Sequence, residues 1–232
     1  MNIKAEIKQS NINFRKRELL LLLIINYIPL IHLIMCLIPF YTVNFSFSVK
    51  FIIALSFLYL LPPILAILVI STFGLPKGKL KVPSKNFFVW WFLFQLQVIF
   101  VRFPFLEELL RIIPGCYSLW LRLWGAKIGK LTFWSPGVAI LDRSYLRIGD
   151  NVMFGASVRL NPHVLDRNKK KHLELLVDYI FIEDDVLVGG YSLVTTGCQI
   201  KKGEIFKATL MLPPYSLYQD QKRIKGESRG VI

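Results

Sequence analysis

Charged residues are missing from two long stretches in the first third of this 232-residue sequence. No Asp, Glu, Lys or Arg occurs at residues 19–49, and none occurs at 51–73. Each stretch is long enough to cross about 30 Å of hydrocarbon at about 1.5 Å per helical residue. With 54% hydrophobic residues and a mean hydropathy of +0.49, the chain is too apolar for a single soluble domain. The sequence predicts two transmembrane helices, about 19–40 and 51–73, in a hairpin at 19–75.

Acidic residues are also scarce, with 15 Asp and Glu against 29 Lys and Arg, so the net charge is +14. Basic residues precede the first span, within a segment at 1–18, and follow the second at 77–85, whereas the connecting loop holds only Lys50. The positive-inside rule therefore predicts a multi-pass protein of the cytoplasmic membrane, with everything after the hairpin in the cytoplasm. A cleaved signal peptide is not expected, because no small-residue cleavage site closely follows the long apolar run. Because these charges flank membrane segments and no nucleic-acid motif accompanies them, we expect membrane lipids, not nucleic acid, as their partner.

Cysteine and histidine are rare, with three of each. Cys36, Cys116 and Cys198 lie far apart, which favours neither a disulfide framework nor a metal site, and we expect reduced thiols. His32 falls in the first predicted span, where it is either a polar packing residue or a functional ionisable group.

The stretch at 86–124 predicts interfacial amphipathic helices. Residues 87–101 are apolar and aromatic but short, and whether they span the membrane or lie on it stays open. Residues 105–113 predict a helix with two unlike faces, which either meets the headgroups or caps the following domain. Leu106, Leu109, Leu110 and Ile113 share one face, and Glu107, Glu108 and Arg111 share the other.

In the second half, apolar residues recur every six positions, a spacing that neither an α-helix nor a half-buried strand requires. The pattern predicts a solenoid shaped as a three-sided prism, with one strand and one corner per six residues and Gly, Asn or Asp at the corners. An inserted loop at 166–179 interrupts it, and a polar tail at 213–232 follows. The runs are Ile128, Trp134, Ile140; then, two residues out of step, Ile148, Phe154, Leu160; then Ile182, Val188, Val194, Ile200, Phe206.

The units at 128–132 (IGKLT), 148–152 (IGDNV) and 188–192 (VGGYS) resemble those of the hexapeptide-repeat, left-handed β-helix acyltransferases. The stretch from Gly125 to Phe206 also resembles the carboxy-terminal domains of membrane-bound poly-lysine synthetases, in which a similar histidine precedes an acidic residue, Arg and a loop. The resemblance implies an α+β chain in which the hairpin and interfacial helices are followed by a left-handed parallel β-helix at 125–212.

His163 precedes the inserted loop, and from its location it is either an exposed general base or a corner residue that only bonds the backbone. The resemblance implies that it deprotonates the acceptor and that acetyl-CoA or another acyl-CoA is the co-substrate, without a metal. It also implies homotrimers with sites between neighbouring prisms. The residues implied for the acceptor are Asp142 and Asn161, and those implied for the cofactor are Gly190, Ala208, Lys201 and Lys207.

These features predict a membrane-anchored acyltransferase that acts on a hydroxyl or amine of an envelope, lipid-linked or amphiphilic acceptor. The alternative is a non-catalytic trimeric scaffold that binds envelope biosynthesis enzymes, which is favoured by Gly137 where sugar acetyltransferases have an acceptor-side asparagine. A zinc-dependent carbonic anhydrase on the same prism would need three histidine ligands. It is disfavoured, because His163 and His172 lie beside or within the insertion and His32 lies in a predicted span.

Overall fold

The computed structural model describes residues 14–167 and 173–225. Most of the predicted basic segment 1–18, the centre of the insertion with His172, and the end of the polar tail lie outside these residues. The described chain begins with helices and continues with short strands, as the sequence predicts. The helices are α1 Lys16–Asn26, α2 Ile28–Thr42, α3 Phe47–Tyr59, α4 Leu61–Phe73, α5 Lys85–Arg102, α6 Phe105–Ile112 and α7 Cys116–Leu123.

Two apolar helices are long enough to cross a membrane: Lys16–Thr42, formed by α1 and α2, and Phe47–Phe73, formed by α3 and α4. Their mean hydropathies are 2.5 and 2.6. Helices α5 and α6 meet the same criteria only as a pair bent by 77°. The imidazole Nε2 of His32 lies 3.0 Å from the carbonyl oxygen of Phe57 and so joins the two long helices.

The strands build three parallel sheets that the chain visits in turn. The strands are β1 Gly78–Lys81, β2 Lys127–Ile128, β3 Phe133–Trp134, β4 Ala139–Ile140, β5 Leu146–Ile148, β6 Met153–Phe154, β7 Arg159–Asn161, β8 His163–Arg167, β9 Leu173–Val177, β10 Ile180–Ile182, β11 Leu187–Val188, β12 Leu193–Thr195, β13 Gln199–Ile200, β14 Ile205–Phe206, β15 Met211–Leu212, β16 Ser216–Gln219 and β17 Lys222–Lys225. Face 1 contains β2, β5, β10, β13 and β16, with β17 antiparallel at its end. Face 2 contains β3, β6, β11 and β14, and face 3 contains β4, β7, β12 and β15.

The six-residue period is confirmed by the strand register. On face 1, Ile128, Ile148, Ile182 and Ile200 lie opposite one another in successive coils and are buried. The two-residue change of phase after Ile140 arises from a 3₁₀ turn at Arg143–Tyr145, which lengthens that corner. The left-handed winding stays a prediction.

The corners differ from the expectation that Gly, Asn or Asp would fill them. Leu131, Tyr191, Thr209 and Tyr215 also adopt positive φ, between 54° and 60°. Because stacked coils hydrogen-bond through their corner amides, the prism imposes this conformation on residues that disfavour it.

The insertion is an antiparallel hairpin rather than a loop, and it begins at His163. Strand β8 pairs with β9, and β9 pairs with β1, which directly follows the apolar helices. Strand β1 was not predicted; its Gly-Lys-Leu-Lys sequence was assigned to the basic flank of the membrane hairpin. The three-stranded sheet joins the region after α4 to the corner that carries His163.

Helices α5, α6 and α7 pack on the first coil of the prism, and Leu121 and Trp124 of this group are fully buried. The indole Nε1–H of Trp134 donates to Ser118 Oγ at 2.9 Å across this contact. In α6 the polar face turns inward: Glu107 is 3% exposed, whereas Leu109 is 52% exposed. Of the predicted apolar face, Leu109 and Ile113 lie outward, whereas Leu106 and Leu110 are partly buried against the core.

Candidate active site

His163 lies at a prism corner, the one that connects face 3 to face 1. It is the first residue of β8, where its backbone lies opposite Val177 of β9. Asp142 follows β4 at the same corner, one coil earlier. Stacking of the two coils therefore brings together two residues that lie 21 positions apart in the sequence.

The His163 imidazole and the Asp142 carboxylate form a hydrogen-bonded pair through Nδ1 and Oδ2. The Asp142 side chain is 1% exposed and that of His163 is 17% exposed. Because an ionised carboxylate only accepts hydrogen bonds, Nδ1 carries the ring hydrogen and donates a hydrogen bond to Asp142 Oδ2. Among the described residues the imidazole makes no other hydrogen bond, so Nε2 is left to take a proton.

Two effects oppose each other in setting the protonation of His163. Burial of the ring lowers the pKa of His163, but the negative charge of Asp142 and its hydrogen bond together outweigh burial. The pKa of His163 therefore lies above its ordinary value. A histidine with this environment is suited to act as a general base near or above neutral pH.

Helix α5 covers the pair with aromatic rings. The indole Nε1–H of Trp90 donates to Asp142 Oδ1 at 3.0 Å. The rings of Trp90 and Phe94 meet the imidazole edge-on, with centroids 5.0 and 5.3 Å away. Trp91 lies beside them and donates from Nε1 to Asn26 Oδ1 of α1 at 2.8 Å. The His163 corner is thus continuous, through α5, with the first apolar helix.

A buried polar network holds the segment that carries Asp142. Arg143 is 1% exposed and donates from Nε to Glu107 Oε1 at 2.9 Å. Its backbone N–H and its Nη1 both donate to Gln97 Oε1, at 2.9 and 3.0 Å. The Tyr117 hydroxyl donates to the other oxygen of Glu107 at 2.9 Å. Helices α5, α6 and α7 therefore all fix the residue adjacent to Asp142.

Sequence reasoning missed Trp90, Phe94 and Arg143. The aromatic residues belong to a run that was assigned to the membrane surface as a whole. The signals in that run are its two polar residues, Gln95 and Gln97, and Gln97 accepts hydrogen bonds from Arg143.

The other candidate residues lie at different places on the prism. Asn161 ends β7 on face 3, two residues before His163, and pairs with Thr195 of the next coil. Gly190 and Ala208 lie in successive coils at the corner between faces 2 and 3, the opposite edge of face 3 from His163. Coils approach closely here: a Cβ on Gly190 would lie 3.0 Å from the carbonyl oxygen of Ala156.

The two lysines predicted to bind the cofactor, Lys201 and Lys207, lie at different corners of the prism. Lys207 is exposed beside Ala208. Lys201 lies at the third corner, between faces 1 and 2, and its Nζ lies 2.7 Å from Glu183 Oε1. Within one chain, His163 therefore contacts Asp142, whereas the residues predicted to bind the cofactor lie at other corners of the prism. A cleft of about 490 Å³ lies elsewhere, between α7 and the first coil, and none of the predicted site residues lines it.

Three solved structures share part of this fold. A hexapeptide-repeat-containing acetyltransferase from Vibrio cholerae O1 biovar eltor, in complex with acetyl coenzyme A, is 26% identical over 44% of this chain, with a TM-score of 0.33. A maltose O-acetyltransferase from Clostridium difficile 630 is 17% identical over 66% of this chain and 94% of its own, with a TM-score of 0.43. A galactoside acetyltransferase in complex with coenzyme A is 14% identical over 60% of this chain and 80% of its own, with a TM-score of 0.35.

The chain spans 58% of the length of the Vibrio protein. No protein-family model matches the sequence, and no curated protein sequence matches it. All three neighbours are acetyltransferases. The acetyl coenzyme A and coenzyme A are bound to those proteins.

Proposed function

We propose that this protein is a membrane-anchored acyltransferase that moves an acetyl or other acyl group from coenzyme A to a hydroxyl or amine. The observation that carries the proposal is the His163–Asp142 pair at a corner of the prism, in which the imidazole Nε2 makes no hydrogen bond to a described residue. A base oriented by a buried carboxylate is what direct transfer from a thioester requires of a protein.

In the proposed reaction, Nε2 of His163 takes the proton of the acceptor hydroxyl or amine as the acceptor attacks the thioester carbonyl carbon. The new C–O or C–N bond forms and the C–S bond breaks. The proton on Nε2 then passes to the departing thiolate, so the products are free coenzyme A and an acylated acceptor, and His163 is again neutral. Asp142 stabilises the imidazolium while it exists.

The geometry favours a positioning role for Asp142 over the acceptor-binding role implied by the resemblance. Both of its oxygens are occupied, by His163 and Trp90, and the side chain is 1% exposed. Asn161 is half-buried two residues from His163, and we keep it as the acceptor-side candidate.

The surroundings of His163 support an amphiphilic or lipid-linked acceptor. Phe94 is partly exposed beside the imidazole, and Trp91, also partly exposed, stacks on Phe94 with ring centroids 5.7 Å apart. Trp91 also bonds Asn26 of the first long apolar helix. An acceptor with an apolar part could lie on these rings while its hydroxyl or amine meets Nε2. The basic residues around the two apolar helices support a cytoplasmic site, where acyl-CoA is available.

Coenzyme A is assigned to the Gly190–Ala208 corner, with Lys207 beside it. Because this corner and His163 lie at opposite edges of face 3, we propose that a second copy of the chain completes the site, as in a homotrimer. Lys201 is paired with Glu183 at another corner and is a weaker candidate for a cofactor phosphate.

The test is acyl transfer by the purified full-length protein in detergent, using radiolabelled acetyl-CoA and a lipid extract of bacterial membranes. We expect a labelled lipid product from the wild type and at least about a hundredfold less from His163→Ala. Asn44→Ala, in the loop between α2 and α3, is the control that should retain activity. Equal transfer by wild type and His163→Ala would remove the catalytic assignment.

The scaffold alternative makes the opposite prediction. If the protein is a scaffold, calorimetry should detect no binding of coenzyme A. Envelope biosynthesis enzymes should co-purify equally with the wild type and with His163→Ala.

A further inference from the structure

Trp90 is buried between α5 and the prism, 4% exposed, and its single polar group is spent on Asp142. The indole Nε1–H reaches Oδ1, whereas the other oxygen of the carboxylate, Oδ2, meets His163. The Asp142 carboxylate therefore accepts a hydrogen bond at each oxygen, from Trp90 at Oδ1 and from His163 at Oδ2.

We propose that Trp90 is a positioning residue for His163 and acts through Asp142, so that helix α5 completes a Trp90–Asp142–His163 relay. The expected effect of Trp90 on kcat rests on the proposed acyl transfer. Its expected effect on the protonation of His163 rests only on the contacts among the three side chains.

The carboxylate needs a donor on Oδ1 for two reasons. At 1% exposure, Asp142 has little access to water, and a buried charged oxygen without a donor is costly. The bond also fixes rotation about the Cβ–Cγ bond, since a carboxylate held at one oxygen presents the other in a defined direction. With Trp90 bound to Oδ1, Oδ2 is directed at Nδ1.

Indole is suited to this position because it donates and cannot accept. It stabilises the carboxylate without competing for the proton that moves through His163. The ring also packs edge-on against the imidazole at 5.0 Å, so the same residue restrains both members of the pair.

Among residues 14–167 and 173–225, Asp142 is the charged group whose side chain acts directly on the imidazole. From α5 the ring is faced by Trp90 and Phe94, which do not titrate, and on β9 His163 lies opposite Val177. Nearby, Arg143 binds Glu107 and Gln97, and the Tyr145 hydroxyl donates to the Pro76 carbonyl oxygen. Asp178, which follows β9, accepts from the backbone N–H of Tyr179 at 2.8 Å.

The relay also ties the dyad to the apolar helices. One residue beyond Trp90, Trp91 donates to Asn26 of α1, and Gln95 donates to the same oxygen at 3.2 Å. Helix α5 is therefore held to α1 on one side and to Asp142 on the other.

The first test measures protonation of His163 by NMR in the full-length protein, labelled with ¹⁵N-histidine in detergent, with His163→Gln to assign the signal. We expect Trp90→Phe to raise the pKa of His163 by about half a pH unit or more, because a carboxylate that loses its donor holds the imidazolium more tightly. Trp91→Phe is the matched control, since it removes an indole N–H from the same helix without touching Asp142.

A second variant covers the case in which Trp90→Phe does not fold. Benzothienylalanine, introduced at position 90 by amber suppression, keeps the bicyclic shape and replaces the N–H by sulfur. It should reproduce the shift. An unchanged His163 titration in a folded variant at position 90, or the same shift in Trp91→Phe, overturns the relay.

The second test is kinetic. Both variants at position 90 should lower kcat about tenfold with little change in the acceptor KM, and should move the acidic limb of the pH–rate profile upward. If the wild type transfers no acyl group to any acceptor, the acyl-transfer proposal fails, while the NMR result still decides the role of Trp90. An active wild type with an unchanged profile in the position-90 variants counts against the relay alone.

Discussion

The Asp142 carboxylate determines when His163 is available as a base. Because Asp142 raises the pKa of His163, the fraction of neutral imidazole grows only as the pH passes that elevated value. In Asp142→Asn the charge is lost and burial still lowers the pKa of His163. We therefore expect the acidic limb of the pH–rate profile to move to lower pH.

The same variant should lose activity, because the amide can present its NH₂ to the imidazole and select the wrong tautomer. We expect kcat to fall by about a hundredfold or more. The measurement is initial rate against pH, with thermal unfolding as the check on folding. An acidic limb that stays in place, or moves up, contradicts the assigned role of Asp142.

A second residue-level prediction concerns the buried pair of Arg143 and Glu107, which are 1% and 3% exposed. Arg143→Leu leaves the Glu107 carboxylate with Arg111 and Tyr117 but without its most buried partner. Removing one member of a buried ion pair costs about 3–5 kcal/mol of unfolding free energy, because the other charge stays desolvated. Arg143→Leu combined with Glu107→Leu should recover part of that loss.

Chemical denaturation of the two variants measures this difference, and Arg159→Leu, on the exposed side of face 3, is the matched control that should stay near the wild type. If Arg143→Leu is as stable as Arg159→Leu, the network does not hold α6 and α7 on the prism.

At the scale of elements, the positive-φ corners of the prism should be strained, and this strain can be measured as unfolding free energy. Leu131 is 83% exposed with φ of 54°, a conformation that costs an L-residue about 1–2 kcal/mol. Leu131→Gly removes that strain and loses little contact, so we expect a gain of about 1 kcal/mol in unfolding free energy. Leu187→Gly, at an exposed strand position of face 2, should instead be destabilised by about 1 kcal/mol.

Thermal or denaturant unfolding of the two glycine variants provides the comparison. A loss of stability in Leu131→Gly as large as in Leu187→Gly would mean that the corner is not strained.

The sequence predicts the prism well because its information is periodic and local. Each inward residue, such as Ile148 or Val194, repeats at a fixed spacing, and the stacking of coils turns that spacing directly into register. Antiparallel pairing of β1 with β9 could not be predicted, since it joins residues about 95 positions apart with no repeat between them. The only local signal is the alternation around Leu80, which is 4% exposed.

The residues of the candidate site also differ in whether the sequence alone predicts them. His163 is a candidate because it precedes the insertion, and Asp142 is one because of the family resemblance. The stacking of neighbouring coils at one corner brings the two side chains together. Trp90 was not a candidate, because its role depends on how α5 crosses the prism, and an aromatic-rich helix has many faces that could pack. The roles of Asn161, Gly190 and Ala208 stay predictions.

At the scale of the whole molecule, two apolar surfaces of the described residues, besides the long helices, bear on its contacts. One is the outward side of α6, where Ile112 is 74% exposed. Because α6 follows α5, which packs along the apolar helices, this surface is suited to contact the membrane. The other is face 2.

Face 2 carries a ladder of outward apolar residues, one from each coil: Phe133, Met153, Leu187 and Ile205. They are 58, 46, 41 and 54% exposed, and they lie opposite one another in successive strands. A continuous apolar row of this kind on a prism is costly in water and is suited to contact a second copy. It supports the proposed homotrimer, in which a second copy brings its Gly190–Ala208 corner to His163.

Met153→Glu places a charge in the middle of this ladder, where burial against a neighbouring chain would leave it unpaired. We expect the variant to shift from trimer to monomer and to lose acyl transfer while keeping its His163 titration, because the relay lies within one chain. Mass photometry or native mass spectrometry in detergent measures the assembly, and Arg159→Glu on face 3 is the control for added charge. A Met153→Glu trimer, or a wild type that is monomeric and fully active, would show that one chain forms the whole site.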